Sequence, residues 1–226
     1  PTADVWGFDF NAEHISSASA LADAAGTSNI TLLDASFETF LDRSTPDFDL
    51  ITLHGIYSWV SPENRHQILD ILSNKLKPGG VVYVSYNCFT GWASSAPVQQ
   101  FLTDYIDRTN SESLAGVGKA TALVDQMRSA GAAFFGVNPQ AGKILDIALQ
   151  SDPRYLVHEY LTGNWTLFSL AQVANELVAA GLSYVGSADL THAFDVFHMT
   201  PAAQAMLGDI DDLLLQQSAR DFFMTS

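Results

Sequence analysis

The sequence predicts an α/β fold in which short strands of a mostly parallel sheet alternate with helices, and one long helical insertion interrupts them. Three observations predict it. Phe48–Leu53 and Val81–Tyr86 are apolar runs rich in β-branched and aromatic residues, and the segment between them has helical spacing, so residues 47–92 read as a βαβ unit. Two further short runs, Val5–Asp9 and Asn29–Asp34, each end in an acid and lead into a residue able to cap a helix. From Pro97 to Gln150 every apolar pattern is helical.

In chain order, Asn11 is the predicted cap of a helix with Ile15, Ala18, Ala22 and Ala25 on one face. Ser36 caps a short helix carrying Phe37, Phe40 and Leu41. Ser61-Pro62 places a capping residue before the one best suited to the first helical position, and Ile68, Leu69, Ile71, Leu72 and Leu76 then form an apolar face. Lys77-Pro78-Gly79-Gly80 ends that helix and turns the chain into the next strand. In an open parallel sheet, ligands bind at the carboxyl ends of the strands. Here those ends are His54–Trp59 and Asn87–Trp92, both rich in aromatics with polar tips.

The insertion carries one strong stripe, Val98, Phe101, Leu102, Tyr105 and Ile106, and two weaker ones, Leu123 with Met127 and Ile144 with Ala148. Segments 111–118 and 131–142 are its expected hinges. A lid over the strand ends and an ordinary core give the same stripe. Residues 155–161 are expected to return toward the strand ends, with Trp165 after a Gly-Asn turn. Ser169 and Gln172 form a capping box for a helix that Gly181 terminates. Leu182–Gly186 and Phe194–His198 are predicted as an antiparallel strand pair, Thr200-Pro201 starts another helix, and Asp209–Phe223 a last one. The expected organisation is a sheet-bearing core over 1–96, the helical insertion over 97–154, the end of the core over 155–199 and the start of a further helical region over 200–226.

With 10 Lys and Arg against 25 Asp and Glu, the net charge of -15 argues against a nucleic-acid backbone as partner, because phosphate contacts need basic side chains. The single cysteine, Cys88, excludes an intrachain disulfide and a Cys-rich metal site, fits a reducing, cytoplasmic setting, and has no neighbour in sequence that would make it a nucleophile. The His158-Glu159-Tyr160 triplet is not an HExxH motif, and His192 and His198 lack ligand spacing, so no metal is expected. No apolar run is long enough to predict membrane insertion, and the oligomeric state is left open.

The ordered set HGIYSW, KLKPGGVVYVSYN, GW, HEYLTGNW and AGLSYVGSADL resembles class I S-adenosylmethionine-dependent methyltransferases of bacteria that carry a methyltransferase regulatory domain, among them enzymes that methylate lysines of outer-membrane proteins. The resemblance implies a Rossmann-like sheet whose last strand is antiparallel, with S-adenosylmethionine as cofactor. It places Asp9 on the ribose hydroxyls with Phe10 beside it, the Asp34 carboxylate on the adenine amino group and the Ala35 N–H on a ring nitrogen. It assigns His54 to a cofactor contact or to accepting an amine proton, Asn87 to the neighbourhood of the transferring methyl, and Tyr57, Trp59 and Trp92 to the acceptor pocket. Aromatic faces and carbonyl oxygens stabilise a sulfonium or an amine without attacking it. Methyl transfer otherwise asks chiefly for a neutral amine held in line. The implied acceptor is a protein lysine amine or a small molecule.

Structural readings stand beside these roles: Asp9 as a helix cap, Tyr57 and Trp59 as core edge, His54 as a structural histidine. The family's first strand and glycine-rich turn are not found among these residues, so a preceding portion and a following domain are both expected in the natural protein. Two rivals follow. A non-catalytic module could keep the fold without the chemistry; a nicotinamide-dependent oxidoreductase would explain Asp9 but has no need of Asp34.

Overall fold

The computed structural model of the chain describes residues 3–111, 114–152, 156–157, 161 and 163–224. It divides into two compact units, the first made of the chain up to Leu53 with Val60–Tyr83 and Glu176–Leu182, the second of His54–Trp59, Val84–Asn175 and the residues from Ser183 onward.

In the first unit, β1 (Val5–Asp9) and β2 (Ile30–Asp34) pair in parallel, in register from Val5 with Ile30 to Asp9 with Asp34. The joining helix α1 (Ala12–Ala24) is capped by Asn11, whose side chain accepts the Glu13 N–H. Ser36 and Thr39 close a reciprocal capping box on the short helix α2 (Phe37–Phe40). Phe8 stacks on Phe40 with ring centroids 4.2 Å apart and meets Phe37 edge-on, so the single turn of α2 is held by aromatic burial.

A second strand pair is formed by β3 (Phe48–Leu53) and β4 (Leu76–Val84), joined by α3 (Pro62–Lys75). Ser61 caps α3 by accepting the Asn64 N–H, Pro62 occupies its first turn, and Ile68, Ile71 and Leu72 are buried. Trp6 of β1 meets Phe48 of β3 edge-on at 6.5 Å. The described strands thus form two two-stranded sheets. β4 starts at Leu76 and not at Val81, because the Pro-Gly-Gly turn lies within its bounds. Gly79 has φ +81°, and a Cβ on Gly80 would stand 2.9 Å from both Leu76 Cδ1 and the Lys77 carbonyl, so this tight reversal needs glycine at both places.

In the second unit, a short helix α4 (Phe89–Trp92) leads into the insertion: α5 (Ala96–Thr109), α6 (Leu114–Ser129), α7 (Ala133–Val137) and α8 (Pro139–Gln150). These helices have their own core: Val98, Leu102 and Ile106 from α5, Val117, Ala120 and Val124 from α6, and Leu145 and Ala148 from α8. The buried stripe of α6 runs through Val124 and not Leu123. The expected hinges are narrower than 111–118 and 131–142. Gly116 and Gly118 lie inside α6, and Gly136 and Gly142 inside α7 and α8, whereas Gly131 (φ +85°) makes the reversal. Of the segment 155–161, Leu156, Val157 and Leu161 are described and join the insertion's core; His158, Glu159 and Tyr160 lie outside the described residues.

The helix α9 (Leu170–Val178) follows the predicted Ser169–Gln172 box, in which each residue's side chain accepts the other's N–H. The predicted antiparallel strand pair is not realised among the described residues. Residues 182–187 form no ladder, and the chain then makes two 3-10 turns, Leu190–Ala193 and Asp195–Phe197. Asp189 accepts the Thr191 N–H and hydroxyl, and Asp195 is gripped by Arg220 from 25 residues away, so side-chain bonds take the place of a ladder. Thr200 caps α10 (Pro201–Gly208) and Asp212 caps α11 (Leu213–Met224), which therefore starts four residues later than predicted.

Candidate active site

The loops that follow β3 and β4 both belong to the second unit, where backbone hydrogen bonds tie them together. Ser58 is fully buried between Tyr57 and Trp59. Its Oγ accepts the Asn87 N–H at 2.7 Å and its carbonyl accepts the Thr166 N–H at 2.9 Å. Phe168 completes the hub: its N–H donates to the Asn87 carbonyl at 3.0 Å and its carbonyl accepts the Phe89 N–H at 2.9 Å. Ser85 Oγ accepts the Gly55 N–H at 2.7 Å and lies 3.5 Å from His54 Nδ1. The left-handed φ of +62° at Gly55 turns the chain there.

The five residues expected around the transferring methyl, His54, Tyr57, Trp59, Asn87 and Trp92, are therefore in one unit, but their surroundings differ. His54 is exposed. Tyr57 is 0 % exposed, its ring tilted on Phe168 at 5.5 Å, so its side chain serves the core and does not face an open channel. Trp59 is half-buried. Trp92 packs against the insertion's core and meets Trp165 edge-on at 5.8 Å, which joins the loop after β4 to the helices instead of leaving the indole free to close a pocket. Asn87 is buried, and its Nδ2 and the Trp165 Nε1 find no hydrogen-bond partner among the described residues. Sequence reasoning did not single out Ser58, Ser85 or Phe168. The available signal was a small hydroxyl residue set inside an apolar or aromatic run, as in Tyr57-Ser58-Trp59 and Val84-Ser85-Tyr86.

In the first unit Asp9 and Asp34 are register partners at the carboxyl ends of adjacent parallel strands. Asp9 accepts the Asn11 N–H on Oδ1 at 2.8 Å and lies 3.1 Å from His14 Nδ1 through Oδ2, so it also steadies the start of α1. Lone pairs remain on both oxygens. The Asp34 side chain makes no hydrogen bond among the described residues; its carbonyl accepts from Arg43. Phe10 is 78 % exposed. The expectation for Ala35 needs correcting: its N–H donates to the Asp9 carbonyl at 3.1 Å as the last rung between β1 and β2, so it is not free to meet an adenine nitrogen.

Cys88 is partly buried, with its thiol 3.3 Å from Thr90 Oγ1 and 3.6 Å from Asp221 Oδ2. Burial pushes the Cys88 thiol and the Tyr86 phenol up from their ordinary values, so neither is an activated nucleophile. Among the described residues no group of three or more His, Cys, Asp or Glu could hold a metal ion, and no helix is long and apolar enough to cross a membrane.

Acids thus end the neighbouring strands β1 and β2, and an aromatic-rich loop follows each of β3 and β4. Residues 1–80 match the family model of the methyltransferase domain, and residues 152–226 that of a "predicted methyltransferase regulatory domain". The structure is similar to that of PKMT2 from Rickettsia typhi, with TM-score 0.76 and 26% identity over 97% of this chain and 41% of that one. It is equally similar, at TM-score 0.76 and 25% identity, to the same protein in complex with AdoHcy. An uncharacterized protein of Synechocystis sp. is 38% identical over 226 residues, 100% of this chain and 45% of the relative. One of Rickettsia prowazekii is 24% identical over 98% of this chain and 40% of its own length. The chain spans less than half the length of these relatives. By fold and by these matches the chain is similar to class I S-adenosylmethionine-dependent methyltransferases. Along the chain the match to a methyltransferase domain comes first and the match to a methyltransferase regulatory domain second.

Proposed function

We propose that the chain transfers a methyl group from S-adenosylmethionine to an amine, with a protein lysine as the acceptor. The observation that carries the reading is the in-register pair Asp9 and Asp34 at the ends of β1 and β2. One acid there suffices for a ribose; the second, with its carboxylate uncommitted, suits an exocyclic amino group of a purine. Asp9 holds the ribose hydroxyls, with Phe10 at the nucleoside, and Asp34 accepts from the adenine amino group. The cofactor supplies the methyl as part of a sulfonium. His54 and Asn87 line the place where the acceptor nitrogen presents its lone pair, and Trp59 offers aromatic surface to an alkylammonium chain. The amine nitrogen gains the carbon as the S–C electron pair returns to sulfur. The proton it sheds passes to solvent or to exposed His54.

The lysine assignment is supported by the resemblance of the sequence to bacterial enzymes that methylate protein lysines, and by the net charge of -15, which favours a basic protein acceptor. A cytoplasmic setting accords with the one free cysteine.

The test is isothermal titration of S-adenosylmethionine and S-adenosylhomocysteine into this chain, and into the same chain preceded by a glycine-rich strand and turn grafted from a class I methyltransferase. Binding that weakens in Asp9→Ala and in Asp34→Ala supports the proposal. Binding to neither protein would overturn it.

A further inference from the structure

We propose that Asp221, on the C-terminal helix, is a positioning residue for the loop that carries Asn87. Through its contact with Cys88, the part of the chain that matches a methyltransferase regulatory domain sets the geometry of the proposed methyl-transfer loop. The inference rests on the function proposed above for that loop.

Asn87 is fixed at its N–H by Ser58 and at its carbonyl by Phe168. The next residue, Cys88, directs its side chain to Thr90 and Asp221, and α11 also packs on α4, the helix that Cys88 begins. Asp221 is thus the one carboxylate of α11 that reaches a residue adjoining Asn87. Its neighbour Arg220 does not neutralise it. That guanidinium donates to both oxygens of Asp195, at 2.8 and 2.7 Å, and to Gln216 Oε1. Among the described residues Asp221 is left with a thiol, a weak donor, and with Tyr86, Tyr184 and His192 around it. A half-buried carboxylate so poorly paired does not stabilise the fold. Its effect is directional: it orients the thiol, and with it the peptide that joins Cys88 to Asn87. Two adjacent residues of α11 hold this arrangement, Arg220 tying the helix to the turn at Asp195 and Asp221 tying it to the loop.

The experiment is amide hydrogen exchange on the whole chain, read at Asn87, Phe89 and Phe168, with Val124 in the insertion's core as reference. In Asp221→Leu the three loop amides should exchange about tenfold faster, the effect of weakening one hydrogen bond, while Val124 is unchanged. Asp221→Asn retains an oxygen to accept the thiol and should restore slow exchange, which a role in bulk packing would not demand. Unchanged loop protection in Asp221→Leu, or equal acceleration in both variants, would overturn the proposal. Should Asp221→Leu also expose Val124, Cys88→Ala removes the same contact from the other side, and unchanged loop amides there would overturn it. Titration of S-adenosylhomocysteine separates the two readings. If the unaltered protein binds and Asp221→Leu binds at least about fivefold more weakly, coupling and function stand together. If the unaltered protein does not bind, the methyltransferase reading fails, while the exchange data still decide the coupling.

Discussion

Ser58 Oγ accepts the backbone N–H of Asn87 at 2.7 Å, a bond between two loops that follow different strands and are separated by 29 residues of sequence. Both residues are buried, so no water replaces the hydroxyl if it is removed. Ser58→Ala leaves the Asn87 N–H orphaned at a cost of about 1–3 kcal/mol. Urea unfolding should show a lower midpoint with an unchanged slope. A midpoint equal to that of the unaltered chain would mean that the Asn87 N–H finds another acceptor.

The neighbours Arg220 and Asp221 impose opposite pH dependences. The Arg220 guanidinium holds the Asp195 carboxyl below the usual range, so the folded state binds fewer protons there than the unfolded state. That contribution is present above the unfolded carboxylate pKa of about 3.9 and is lost as pH falls through the folded value. Burial raises the Asp221 carboxyl instead, so its contribution is full below the unfolded pKa and declines as pH rises through the folded one. Asp195→Asn should lower stability at neutral pH and flatten the acid limb of the stability profile. Asp221→Asn should cost nothing at neutral pH and remove the decline that begins near pH ~4. Thermal unfolding from pH 3 to 7 compares the two profiles; a loss of stability at pH 7 in Asp221→Asn would contradict this account.

The elements with local signals were legible in the sequence. Asn11, Ser36, Ser61, Ser169 and Thr200 all cap where their spacing places them, because the partner of a cap lies two or three residues away. The acids at the ends of β1 and β2 were legible for the same reason, though their alignment in register is a property of the pairing. What was not legible depended on distant partners. Phe194–His198 has the alternation of a strand, yet Asp195 turns it because Arg220 lies 25 residues away. Tyr57 and Trp92 carry the composition of a binding loop, but Phe168 and Trp165 decide how they are buried. Ser58 passed as a loop residue since its acceptor role exists only once Asn87 arrives.

Gly116 is a place where intrinsic propensity and packing disagree. It lies inside α6, where alanine would gain about 1 kcal/mol of helix propensity. A Cβ there would collide with the carbonyl of Ser111, backbone that cannot swing aside. Overpacking of this kind costs about 1–3 kcal/mol, so Gly116→Ala should be net destabilising. Gly118, on the same helix, has open space at its Cβ position, and Gly118→Ala should stabilise. Thermal melting of the two variants gives shifts of opposite sign; shifts of the same sign would mean that α6 moves away from Ser111.

Asp9 and Asp34 share a register position but not a local role, and that difference separates their variants. Asp9 bonds the Asn11 N–H and approaches His14, so Asp9→Ala removes support from the first turn of α1 together with any ligand contact. The Asp34 carboxylate supports nothing in the described fold, so Asp34→Ala should leave the melting temperature unchanged. Loss of a hydrogen bond from a charged acceptor costs about 1.5–3 kcal/mol, or about 10- to 150-fold in affinity. Both variants should therefore bind S-adenosylhomocysteine at least about tenfold more weakly, and only Asp9→Ala should also melt earlier. An Asp34→Ala protein that binds as tightly as the original would remove Asp34 from the nucleoside site. It would also leave Asp9 as the only acid there, the arrangement that a dinucleotide-binding sheet has.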